Sequence, residues 1–207
     1  MNVKLDKKYR QIFKLARPYY KKGREADEKH HLVVADMMQE ILKEVDLDEN
    51  VMMAAALLHD IGYAKIPPSK RKTHWADKVV RDHMRYGAEI AKKILKKINF
   101  PEEKIKKACE IIATHDNPTI GRQIASKEGK ILKEADILWM TTEKAFWLDV
   151  KRREELGASD WLKVLKQRFT KEKKYTKYLA TKFAKRKVKK FLDEMEKKTK
   201  DLWEKYI

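Results

Sequence analysis

The sequence predicts an all-α fold, on two observations. Apolar residues recur at helical spacing along nearly the whole chain, and no segment joins strict alternation to the β-branched enrichment expected of strands. Helices are expected at about 5–21, 27–44, 49–61, 76–98, 102–115, 122–149, 158–167 and 172–203, with ends uncertain by a few residues. Local chemistry supplies the breaks. Gly23 ends the first helix, and Gly62 stops the third just past His59 and Asp60. Pro67 and Pro68 forbid helix after that pair, Pro101 opens a helix, and Asn117-Pro118 closes it.

The last helix carries Tyr175, Leu179, Phe183, Phe191, Met195, Leu202 and Tyr206 mostly on one stripe. Lys182, Lys185, Arg186, Lys187, Lys189 and Lys190 crowd around it. A solvated basic face explains them, and so does docking of a polyanion.

At 207 residues the chain is long enough for one full-sized domain with an appended helical tail. Hydrophobic residues make up 43% and charged residues 40%, too apolar for a disordered chain and too charged for a membrane-embedded one. No run approaches the roughly 18 apolar residues that span a bilayer, and MNVKLDKKYR lacks the apolar stretch of a signal peptide. A cytoplasmic location with no membrane partner is therefore expected. The single cysteine, Cys109, excludes an internal disulfide and sits in the apolar helical context of a core thiol. The net charge of +18 predicts attraction to polyanions, whether nucleotide, nucleic acid or anionic surface. Abundant Lys and Glu beside scarce Asn and Gln equally suit the ion-pair surface of a thermophile.

The chemistry gathers around VMMAAALLHDIG, where an imidazole and a carboxylate, His59 and Asp60, leave the end of a buried helix together. Neighbouring side chains on a helix point about 100° apart, so a helix end is where both can reach one ion. Alone, the dipeptide also fits a buried histidine paired to a local acid.

Upstream stands KHHLVVADMMQEIL and downstream GKILKEADILW. The order His, His-Asp, distal Asp on successive helices resembles the HD family of metal-dependent phosphohydrolases, over about residues 8–150. That resemblance implies an HD-domain helical bundle over residues 1–155 and a basic helical extension over 156–207, which matches nothing in the family pattern. It selects His30, with Val34 four residues on, as the first ligand; His31, whose face carries Ala35, Met38 and Leu42, is the rival. His59, Asp60 and Asp136 complete the first ion's set. His83, in DHMRYGAEI, and His115, in IIATHDNP, stand where binuclear members hold a second ion, with Asp60 bridging; contacts to phosphate are the other reading of these two. Asp116 is expected to orient His115, to bind substrate, or to be a helix-end charge.

Two His and two Asp suit Mn, Fe, Ni, Co or Zn better than Mg or Ca, so one or two divalent transition ions are the expected cofactor. Hydrolysis of a phosphomonoester or phosphodiester by metal-bound hydroxide is the implied reaction, and a nucleotide is the expected substrate. Phosphoryl transfer needs charge stabilisation more than covalent help. Lys65, just after the HD turn, is the leading cation for it, with Lys70, Arg71 and Lys72 in the Pro-broken loop and Arg122 after His115. His74 is the candidate general acid or loop contact, and Trp139 a candidate substrate contact. Two alternatives remain: an HD-type di-iron oxygenase, and a nucleic-acid-binding module using the C-terminal basic helix beside a structural or vestigial metal site.

Overall fold

In the computed structural model, the described residues are 6–24, 27–71, 75–153, 156–170 and 174–206. They form α-helices and short 3-10 segments, and no strand. The chain divides into two compact units, one up to Ala135 and one from Asp136 onward.

The first unit is built around its most apolar helix. α3 (Glu49–Leu58) buries every residue from Val51 to Leu58, so it must be enclosed on all sides. Its start is fixed by Asp48, whose side chain accepts from the Val51 N–H at 3.1 Å. Three helices cover it: α1 (Lys7–Tyr20), α2 (Asp27–Leu42) and α6 (Glu102–Ile112). α1 buries Tyr9, Ile12, Ala16 and Tyr20, a three-four spacing that makes one face, and the Tyr20 hydroxyl donates to the Leu57 carbonyl at 2.7 Å. α6 begins after Pro101 with Glu102 and Glu103 in its first turn, where the helix dipole favours acids. α4 (Pro68–Arg71) is a single turn, and α5 (Asp77–Lys97) packs on α6 and on the 3-10 turn Ile61–Lys65.

The third predicted helix ends earlier than expected, at Leu58; His59 and Asp60 occupy a turn that leads into the 3-10 segment. Gly62 therefore does not stop the helix. It is needed for close approach, since a β-carbon there would lie 1.8 Å from the His83 carbonyl oxygen and 2.5 Å from the Gly87 nitrogen.

The predicted helix over 122–149 is a further correction. It divides into α7 (Lys127–Leu138), a 3-10 turn over Trp139–Thr141 and α8 (Glu143–Arg152). Thr142 is extended and its hydroxyl accepts from the Ala145 N–H at 3.3 Å, which starts a new helix where the periodicity alone reads through.

In the second unit α9 (Ala158–Thr170) pairs with α10 (Lys182–Tyr206). α10 starts ten residues later than expected, capped by Thr181, which accepts from the Ala184 N–H at 3.1 Å. Tyr175 and Leu179 thus precede the helix, and its buried stripe runs through Ala184, Val188, Phe191, Leu192 and Met195. No helix among the described residues is long and apolar enough to cross a membrane.

Candidate metal centre

Four elements of the first unit converge on Asp60. α2 brings His30, the turn after α3 brings His59 and Asp60 itself, α5 brings His83, and the turn after α6 brings His115. Each of the five is at least nine-tenths buried, unusual for charged or titratable side chains.

The carboxylate divides its oxygens between two pairs of imidazoles. Oδ2 lies 3.5 Å from His30 Nε2 and 3.6 Å from His59 Nε2; Oδ1 lies 3.5 Å from His115 Nε2 and 3.6 Å from His83 Nε2. Two triads result, His30–His59–Asp60 and Asp60–His83–His115, each with its ligand atoms close enough to surround one ion.

The rings are held so that Nε2 faces inward. Nδ1 lies 3.0 Å from the Ala56 carbonyl in His59, 3.3 Å from the Val79 carbonyl in His83 and 2.8 Å from the Ile112 carbonyl in His115. A carbonyl can only accept, so each Nδ1 donates to it and each ring turns its Nε2 edge toward Asp60.

These residues fit a divalent ion. His83 Nε2 is buried without a hydrogen-bond partner, and a lone pair so placed calls for an electrophile. His30 Nε2 and His59 Nε2 stand 2.9 Å apart, close to the roughly 3 Å edge between adjacent ligands on metal–nitrogen bonds of about 2.1 Å. Burial would raise the Asp60 carboxyl, but the Arg24 guanidinium and the surrounding imidazoles outweigh it and hold it well below the usual carboxylate range. Burial, then neighbouring His115, pushes His83 down to about 4. At neutral pH the geometry thus offers an ionised carboxylate and a neutral His83, the states that ligation requires.

The HD-domain family model matches residues 28–141, over half of the chain, and spans all five residues. The chain belongs to the HD-domain family. Its fold also resembles the crystal structure of a predicted HD superfamily hydrolase from an uncultured Thermotogales bacterium, with a TM-score of 0.59 and 21% identity over 96% of this chain and 92% of that one. No curated protein matches the chain by sequence. Family and site together support membership of a metal-dependent hydrolase superfamily.

His31 is fully buried but lies flat against Tyr20, ring centroids 3.8 Å apart, so of the two adjacent rings His30 is the one beside Asp60. Lys65 Nζ pairs with Glu89 at 2.8 Å on the surface, and Arg71 donates to the Ile66 carbonyl at 2.8 Å and the Gly23 carbonyl at 2.6 Å. Arg122 is exposed, and Lys72 and His74 lie outside the described residues. Asp136 and Trp139 are half-buried members of the second unit.

Two residues at the centre had no warning in the sequence. Arg24 pairs with Asp60 Oδ2 and lies 3.7 Å over the Tyr63 ring, which in turn stacks on His83. Lys133 donates to Asp116 Oδ1 at 2.9 Å, beside the Thr119 hydroxyl at 2.7 Å, while Asp116 Oδ2 stands 4.0 Å from His83 Nε2.

Proposed function

We propose that this HD-domain protein is a phosphohydrolase that cleaves a phosphomonoester or phosphodiester, with a nucleotide as the preferred substrate class. The observation that carries the reading is the division of the Asp60 oxygens between His30 with His59 and His83 with His115. A carboxylate so placed suits two ions side by side, the arrangement that clamps the attacking and leaving oxygens of phosphate esters. Divalent ions bound there supply Lewis acidity to a phosphoryl oxygen and to water.

The chain's own residues do the rest. His30 and His59 hold one side of Asp60, His83 and His115 the other, and the Nδ1 atoms of His59, His83 and His115, each bonded to a backbone carbonyl, keep those three rings from turning. Charge on the phosphate needs a cation within reach. Lys65 is engaged by Glu89 and Arg71 by two backbone carbonyls. Arg24, at the edge of the cluster with its side chain 25% exposed, is the cation the geometry favours for that contact.

Elemental analysis followed by a phosphatase screen with Mn²⁺, Ni²⁺, Co²⁺ and Zn²⁺ tests the reading. Phosphate release that falls about 1,000-fold or more in Asp60→Asn supports it. Two irons per chain, oxygen uptake and no phosphate release would establish the oxygenase alternative instead.

A second reading concerns α10, whose Lys182, Lys185, Arg186, Lys189 and Lys190 are all exposed. Such a face suits the phosphates of a nucleic acid. Binding of a single-stranded oligonucleotide that weakens steeply with salt and is indifferent to Asp60→Asn supports it; salt-independent or absent binding rules it out.

A further inference from the structure

Arg24 stands where the first ion would need to place its charge. Its guanidinium meets Asp60 Oδ2, the oxygen that also faces His30 Nε2 at 3.5 Å and His59 Nε2 at 3.6 Å. Tyr63 supports the guanidinium at 3.7 Å and is itself stacked on His83, with ring centroids 4.4 Å apart and 11° between planes. The main chain alongside is pinned, because Arg71 reaches the carbonyls of both Gly23 and Ile66. Arg24 is thus a built feature of the cluster rather than a stray surface charge.

A buried carboxylate stays ionised only with a counter-charge. Arg24 provides one unit of it at Asp60 Oδ2. A divalent ion in the His30–His59–Asp60 triad would claim the same oxygen with twice the charge and repel the guanidinium at short range. We infer that Arg24 is the resident counter-ion of metal-free Asp60, that it competes with the first divalent ion, and that it is displaced when that ion binds. Displacement leaves its donors, still beside Tyr63, for an anionic group of the substrate. The inference rests on the reading that the triads hold divalent ions.

Titration of chelator-stripped protein with Mn²⁺, by calorimetry and thermal melting, tests it. Arg24→Gln, which keeps donors but loses charge, is expected to bind the first Mn²⁺ about 10-fold tighter, and Arg24→Lys to stay within about 3-fold of the parent. The Gln variant should melt lower than the parent when stripped and regain the difference when loaded. Equal or weaker Mn²⁺ affinity in Arg24→Gln overturns the inference, because a residue that merely oriented Asp60 would lose affinity when removed. No Mn²⁺ binding by parent or variant overturns the metal reading and this inference together. If the Gln variant does not fold, the Arg24 Nε resonance of the parent, assigned through Arg24→Lys, decides. A resonance that shifts and gains exchange with water on adding one equivalent of diamagnetic Zn²⁺ supports displacement, and an unmoved one refutes it.

Discussion

Gly62 and His83 touch through their backbones: a β-carbon on Gly62 would stand 1.8 Å from the His83 carbonyl oxygen. That approach docks the turn after His59-Asp60 onto the helix that carries His83, so it sets the distance between Asp60 and one of its imidazoles. Gly62→Ala is expected to destabilise the fold by about 1–3 kcal/mol, the cost of forcing a packed backbone apart. Gly157→Ala, with nothing within 4 Å of the added carbon, should stay within about 0.5 kcal/mol. Urea unfolding of both variants measures the difference, and equal losses would show that the approach is not required.

Ion content should follow the two triads. His83→Ala and His115→Ala are each expected to lower the metal-to-protein ratio from about two towards one, and Asp60→Asn to lower it below one, because both triads share that carboxylate. Elemental analysis of dialysed protein reads this directly. A ratio unaffected by His83→Ala would remove His83 from the metal.

The stripped protein should lose stability on acidification in a defined window. His83 has its folded value pushed from 6.5 to about 4, so the unfolded chain takes up the proton first as the pH falls. Stability is then complete above about pH 6.5 and declines down to about pH 4, by about 3 kcal/mol for this one ring. Asp60, also lowered, acts with the same sign but below its ordinary value of 3.8. Denaturation midpoints between pH 7 and 4 check the slope, and His83→Gln should flatten it.

Lys133 holds Asp116 beside His83. Lys133→Met is expected to cost about 1–3 kcal/mol, since it strips a half-buried carboxylate of its cation. It should also weaken Zn²⁺ binding about 10-fold, the scale on which outer partners tune metal ligands. Intact affinity would confine the pair to a structural role.

The cluster around Asp60 was legible because its signals are local: His59 and Asp60 follow an apolar helix, and His30, His83 and His115 lie in segments with family-like neighbours. Arg24 was not, since it is one basic residue among 50 and its partners Asp60 and Tyr63 are met only after folding. Lys133 is hidden for the same reason. The break at Thr142 and the late start at Thr181 were readable in principle, because both are hydroxyl residues at helix entries; continuous helical periodicity masked them.

The protonated Nδ1 atoms of His59, His83 and His115 have a consequence for the order of events in the life of the chain. Their partners are carbonyls three or four residues back in the chain, within α5 for His83 and at the ends of α3 and α6 for His59 and His115, so ring orientation is settled locally, as each helix and the turn that follows it form. An arriving ion then meets three rings already turned toward it, and the Arg24 guanidinium is what has to move. A zinc finger, by contrast, waits for its metal before it folds. This protein is expected to fold first and load afterwards, so a cell short of metal would accumulate an intact, idle reserve that a later supply could switch on without new synthesis.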